Sequence, residues 1–297
     1  MKVLVTGVGG QLGYDVMREL ARRGYEGVGS DVAQTCGDLP EGMRYVPMDI
    51  TDEQAVKRIV AQENPDALIH CAAWTNVDLA QEQCEQARRI NVDGTYHLAS
   101  ACKEIGCKMA YISTDYVFDG KGDQPWKPDC GDYHPLNVYG QTKLDGERAV
   151  RELLERYFIV RTAWVFGVHG KNFIRTMIGV GKKYDTVRVV CDQVGTPTYT
   201  ADLARLLVDM IETERYGIYH ATNEGGYISW YEFCCECYRQ YGLETRVVPV
   251  TTEEYGQSIA ARPANSRLDK QKLVQAGFEP LPDWRDAVTR YLKEAEL

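Results

Sequence analysis

Two periodicities run through the first half of the chain. Short stretches without helical spacing, at Lys2–Thr6, Glu26–Ser30, 44–47, 67–71, 108–112 and Tyr157–Thr162, predict strands. Between them lie longer stretches whose apolar positions recur three and four apart. These predict helices, one opening at Gly13, a long one over 88–102 and another over 137–156. Strands alternating with helices imply an α/β fold with a parallel, doubly wound sheet. After about residue 165 the pattern changes. Helices are predicted over 172–183, 201–211, Trp230–Tyr241, 268–275 and 283–293, with strands at 187–190 and 217–221. Residues 1–165 therefore read as one sheet domain, to which 187–221 is expected to return. Residues 166–297 read as a smaller, mostly helical, substrate-binding lobe.

Composition narrows the class. The 297 residues are 44% hydrophobic and 26% charged, ordinary for one large globular domain or two smaller ones. The net charge of −9 and a pI near 5.2 disfavour nucleic acid and anionic membranes as partners. No apolar stretch has the length of a membrane span, and the run after Met1 is too short for a secretion signal, so a soluble, cytoplasmic protein is expected. Its 10 cysteines are then expected to be reduced thiols. The one cluster, Cys234, Cys235 and Cys237, reads as a buried helix face rather than a metal site, because no second Cys pair answers it. No metal ligands are assigned.

The candidate chemistry begins at Gly7-Val-Gly-Gly10-Gln11-Leu12-Gly13, between the first strand and the first helix. Glycines there let the backbone approach a pyrophosphate, and the helix N-terminus presents N–H groups to it. The G-x-x-G-x-x-G spacing points to a Rossmann-type domain of short-chain dehydrogenase character. Asp31 ends the second strand, where a carboxylate accepts from a ribose 2′-OH and repels a 2′-phosphate. This favours NADH over NADPH. Asp49, followed by Ile50, is placed to reach an adenine edge; Thr51 suits helix capping. Ala72, Ala73, Trp74 and Thr75 follow the fourth strand, where small residues admit a cofactor against the backbone. Asn91 is either a packing amide or a support for catalysis. Thr114 sits at the end of the fifth strand. Tyr139 and Lys143 lie one helical turn apart, a spacing at which an ammonium eases proton donation by a phenol. The Gly-, Pro- and Asp-rich segment 121–136 is expected to be mobile and to lie over the site, with Trp126 as a packing anchor.

Together the glycine turn, Thr114 and Tyr139-x-x-x-Lys143 resemble the extended short-chain dehydrogenase/reductase family. Within it, Gly10-Gln-Leu-Gly13, Ser113-Thr-Asp-Tyr-Val-Phe-Asp-Gly120, Leu136-Asn-Val-Tyr-Gly140, Arg161-Thr-Ala-Trp164 and Arg262-Pro-Ala-Asn-Ser-Arg-Leu268 are similar to the dTDP-4-dehydrorhamnose reductases, over nearly the whole chain. The resemblance implies reduction of the C4 ketone of a dTDP-linked keto sugar by NADH or NADPH. It implies Tyr139 as proton donor, Lys143 on the nicotinamide ribose and Thr114 on the carbonyl. It also implies Trp164, with Val77, Asp115 and Arg262, as substrate contacts. Dehydratases of this fold carry Thr-Asp-Glu where this chain has Thr114-Asp115-Tyr116, so reduction is expected rather than loss of water. Some reductases of the family pair through a glutamate-held magnesium ion. The matching positions here carry the shorter Asp15 and Asp202, which leaves the metal, and the choice of monomer or homodimer, open. Three other readings remain: a reductase for another nucleotide-linked 4-keto sugar, a 4-epimerase on fold alone, or a non-catalytic regulatory subunit resembling that of methionine adenosyltransferase.

Overall fold

The computed structural model describes residues 1–297 apart from Asp38, Gln257 and Glu296. Its first half contains β1 (Lys2–Thr6), α1 (Gln11–Arg22), β2 (Glu26–Ser30), β3 (Arg44–Tyr45), α2 (Glu53–Glu63), β4 (Ala67–His70), α3 (Val77–Glu82) and α4 (Cys84–Arg88). A π-helical turn at Arg89–Gly94, α5 (Thr95–Ile105), β5 (Lys108–Thr114), α6 (Val138–Leu153) and β6 (Tyr157–Thr162) follow. These strands and Gly217–His220 form one seven-stranded parallel sheet, in the order 217–220, β6, β5, β4, β1, β2, β3. The chain runs outward through β2 and β3, then returns to the far side of β1 at β4. The sheet order thus reverses between β1 and β4, and a crevice opens there at the strands' C-terminal ends.

The strands read as apolar runs because both faces of the sheet are covered. Side chains alternate between the faces: Val3 and Val5 pack beneath α1, while Leu4 joins Leu68, Leu98 and Val150 on the side of α5 and α6. A separate aromatic core of Phe166, Tyr199, Phe233, Trp284 and Tyr291 holds the second half together. Its principal helices are α7 (Phe173–Gly181), α8 (Thr200–Ile211) and α9 (Trp230–Tyr241). Cys234 and Cys237 are buried on the inner face of α9, as their helical spacing suggested.

Several expectations are corrected. The predicted helix over 88–102 is broken by the π turn, a local widening by one residue that re-aims side chains. The third strand stops at Tyr45, since Pro47 offers no N–H to the sheet. Helix α6 starts after Asn137, whose side chain caps the Gly140 N–H at 2.8 Å, and ends at Leu153 rather than 156. The cap of α2 is Asp52, not Thr51, whose hydroxyl bonds Asp49 instead. Of the two strands expected to rejoin the sheet, Gly217–His220 does; Thr186–Val190 pairs instead with Arg246–Val250. The helix over 268–275 is confined to Gln271–Gln275.

The segment 121–136 is pinned by its backbone. Trp126 N donates to Arg267 O, Trp126 O accepts from Asp269 N, and the Asn265 amide donates to Lys121 O and Gln124 O. Trp126 stacks on Phe118 at 4.7 Å, which makes it the packing anchor expected. No residue of the segment lines the main cleft, contrary to the lid expected there.

Beneath the cleft, the Arg161 guanidinium of β6 forms two hydrogen bonds to Glu147 of α6, at 2.8 and 2.6 Å, with both side chains buried. Glu147 also accepts from Ser113 of β5, and Arg161 donates to Pro128 O. The rings of Phe118 and Tyr133 flank the guanidinium at 5.2 and 4.7 Å. Truncating one partner strands the other's charge in the interior. Glu147→Ala is therefore expected to cost about 3–5 kcal/mol in chemical denaturation, and a paired Glu147→Leu/Arg161→Met change to recover much of it. A loss below about 1 kcal/mol, the range of exposed pairs, would show that the ion pair does not organise this layer.

Candidate active site

The crevice is a cleft of about 1060 Å³. Gly7, Gly10, Gln11, Leu12, Gly13, Asp31, Asp49, Ile50, Ala72, Ala73 and Thr75 line it on the sheet side. Val77, Thr114, Asp115, Tyr139, Lys143 and Trp164 line it toward the second half. Two predicted residues fall outside. Trp74 contributes no lining; its backbone N–H and C=O bond the amide of Asn91. Arg262 lines a neighbouring cavity of about 370 Å³ and forms a two-point ion pair with Asp78, at 2.9 and 2.8 Å. That pairing, led by the Arg262 hydrogen bond, holds the Asp78 carboxyl at about 2.

The glycine turn is built for close approach. Gly7 has a φ of +75°, and a Cβ there would stand 2.5 Å from Ala72 N. A Cβ on Gly13 would stand 2.2 Å from Gly7 O. Only glycine lets α1 start this near β1 and β4. No side chain caps the start of α1, so its first-turn N–H groups are left toward the cleft as an anion site. The Asp31 carboxylate accepts from Gly9 N at 3.0 Å and from Val32 N at 2.8 Å. It is thereby fixed beside the turn, and the neutral, exposed Val32, Ala33 and Gln34 follow it. These features fit a dinucleotide: diphosphate at the turn and a ribose diol at Asp31. Gln11 does more than line the cleft: its side-chain oxygen accepts from Gly167 N at 2.8 Å, joining the turn to the second half.

Thr114, Tyr139 and Lys143 meet at the cleft floor, Thr114 and Lys143 buried and Tyr139 half-buried. The Thr114 hydroxyl donates to Asp115 at 3.0 Å and accepts from Tyr116 N at 3.2 Å. Burial pushes the Tyr139 phenol up to about 12, against a hydrogen bond with Thr114 that pulls it down. The expected influence of Lys143 on that phenol is not what the geometry emphasises. The ammonium stands over the Tyr111 ring at 4.1 Å, and burial lowers it to about 7 against the pull of Glu147 one turn on. Burial also raises Asp115 to about 6, offset by hydrogen bonds from Ser266 and Thr114. Asn91, in the π turn, donates to Thr142 at 3.0 Å as well as to Trp74, so it clamps the strand-end loop to α6.

Trp164 has a φ of +51° and stacks on Trp230, with ring centroids 3.8 Å apart. Trp230 and Phe173 line both cavities, and neither was anticipated. Their only signal was aromatic residues at the starts of predicted helices, which cores also use. Glu147 was missed too, although it lies four residues after Lys143 and so shares its helix face.

Asp15 and Asp202 do not fit a shared magnesium ion. Asp15 accepts from Thr200 and Arg18, while Arg290 holds Asp202 by two 2.8 Å bonds and Asn223 donates to it. Among the described residues, no three His, Cys, Asp or Glu side chains gather to hold a metal ion, and no helix is long and apolar enough to cross a membrane.

The whole chain, residues 1–297, matches the family model for the RmlD substrate binding domain. A dTDP-4-dehydrorhamnose reductase of Streptomyces griseus is 42% identical over 96% of this chain and 91% of its own length. A dTDP-4-keto-6-deoxy-D-glucose reductase of Streptomyces niveus is 37% identical over 97% of this chain and 95% of its own. The crystal structure of dTDP-4-dehydrorhamnose reductase from Bacillus anthracis in complex with NADP superimposes with a TM-score of 0.91 at 38% identity, covering 99% of both chains. The match to the family model over the full length, and a relative 42% identical over nearly the whole chain, lead to one conclusion: this chain belongs to the RmlD substrate binding domain family, that of the dTDP-4-dehydrorhamnose reductases.

Proposed function

We propose that the protein reduces the C4 ketone of dTDP-4-dehydro-β-L-rhamnose to the alcohol of dTDP-L-rhamnose. The observation that carries this reading is the meeting of Thr114, Tyr139 and Lys143 in one cleft beside the Trp164 wall. Bound NADH or NADPH supplies a hydride to C4. Tyr139 supplies the proton to the oxygen, so that one hydride and one proton convert ketone to alcohol. Thr114 polarises the carbonyl. Lys143 holds the nicotinamide ribose and stabilises the tyrosinate left behind. The first-turn N–H groups of α1 hold the diphosphate, Asp31 the ribose hydroxyls, and Asp49 with Ile50 the adenine edge.

Val77, Asp115 and Trp164 contact the sugar. The smaller cavity takes the nucleotide: it offers Arg188 and Arg262 to a diphosphate and Phe173 and Tyr116 to a base. Arg262 reaches this substrate from the second cavity, with Asp78 holding its guanidinium in place. The position held by a catalytic Glu in dehydratases is Tyr116, which supports reduction over elimination. The Streptomyces niveus relative favours a second reading in which a different dTDP-linked 4-keto sugar is the substrate. Assay of both keto sugars, following loss of NADH or NADPH, decides between them. Activity with neither would overturn both.

Three outcomes are expected. Tyr139→Phe should lower kcat by about 10²–10⁴-fold with little change in cofactor affinity; near-wild-type turnover would remove Tyr139 from the chemistry. NADH should bind more tightly than NADPH in a titration, because Asp31 faces the 2′ position. Activity should fall as pH rises through about 7, since Lys143 is an ammonium below that value and neutral above it. A pH profile flat from 6 to about 9 would show that the charge of Lys143 is not needed.

A further inference from the structure

Trp230 belongs to none of the motifs that identify the site, yet it is built into the site with care. Helix α9 begins at Trp230, and its start is fixed by a reciprocal capping box. Ser229 Oγ accepts from Glu232 N, and the Glu232 carboxylate accepts from Ser229 N at 2.7 Å. The Trp230 ring stacks on Trp164 at 3.8 Å, with the planes 17° apart. Phe173 backs it at 4.6 Å.

Trp164 needs such support. Its φ of +51° lies in a region that side chains with a Cβ disfavour, and its carbonyl accepts from Thr198 N at 3.2 Å. The indole also passes close to Gly195, where a Cβ would stand 3.1 Å from the ring. Val194–Gly195 pairs antiparallel with Ile228–Ser229, the two residues that lead into Trp230. One short β-pair therefore makes both jaws of a slot: Gly195 on one strand, and Trp230 just beyond the other. The Trp164 indole is gripped between them.

We infer that Trp230 is a positioning residue, which holds the Trp164 indole in the wall of the main cleft and so sets where a nucleotide-linked sugar places its keto carbon. The inference rests on the reductase reading for the identity of that sugar, but not for the mechanical role of the slot.

The test compares Trp230→Ala, Trp230→Phe, Trp164→Ala and the Trp164→Ala/Trp230→Ala double variant. Trp164–Trp230 is the one stacked tryptophan pair among the described residues, so its exciton couplet in circular dichroism reports the slot directly. Trp230→Ala is expected to lose the couplet and to lower kcat/KM for the dTDP-linked keto sugar by about 10²-fold, while cofactor affinity stays within roughly twofold. Trp230→Phe, which keeps an aromatic platform, should restore most of the activity. In the Trp164→Ala background, Trp230→Ala should cost nothing further, because it acts through a ring already removed. Full kcat/KM without the couplet would overturn the proposal, as would additive losses in the double variant, which would make Trp230 an independent contact. If the wild type oxidised NADH or NADPH with neither keto sugar, the reductase reading would fall. Calorimetry of dTDP on the same four proteins would then read the slot: non-additive losses would sustain the role, and unchanged or additive affinities would overturn it.

Discussion

Glu147 and Arg161 form the interaction on which the site's geometry depends. A charged pair enclosed by protein is stable only when both members are fully engaged. Here the engagement reaches four separate pieces of chain: α6 through Glu147, β5 through Ser113, β6 through Arg161 and the 121–136 segment through Pro128 and Tyr133. Tyr139 and Lys143 are on the same helix as Glu147, and Thr114 follows Ser113. The spacing between the phenol, the ammonium and the strand-end hydroxyl is therefore inherited from a contact a turn below them. Glu147 also acts at a distance, by drawing the Lys143 proton affinity up against the burial that lowers it.

A second constraint joins the two halves. Gln11 opens the helix whose N-terminus faces the cleft, yet its amide oxygen accepts from Gly167 and Asn172 across the seam. Asn172 in turn caps α7 through Arg175 N and bonds Tyr291 in the aromatic core. A chain of direct hydrogen bonds thus leads from the cofactor turn into the interior of the second half. The cleft between them is framed by bonded elements on both sides.

Much of this was legible from residue order because the features concerned are local. The glycine turn needs a strand before it and a helix after it, and both are neighbours in sequence. Tyr139 and Lys143 share a helix turn, and Asp31 ends a strand whose position in the sheet follows from the alternation. What was not legible depends on long-range pairing. Nothing in the apolar pattern at 186–190 distinguishes a strand of the main sheet from one that pairs with Arg246–Val250. The Arg262 guanidinium is turned to Asp78, 184 positions away, and lines the second cavity instead of the first. The 121–136 segment has the composition of a free loop, but its order comes from backbone bonds to residues beyond 260. The break in the helix at residue 89 has no Pro or Gly at its start to mark it.

That break has a consequence for how the chain tolerates change in length. A π turn holds one residue more than the α-helix around it. Removing a single residue between Arg89 and Gly94 would leave a continuous helix with good hydrogen bonds. The flanking helices would keep their phase, because the wide turn takes up the extra residue locally, and only the residues inside it would be re-aimed. Leu98, Ala99 and Cys102 would stay on the sheet, while Asn91, inside the turn, would lose the position from which it bonds Trp74 and Thr142. The extra residue is taken up where it sits: the helix after it keeps its apolar face on the sheet, and the turn itself carries the polar clamp.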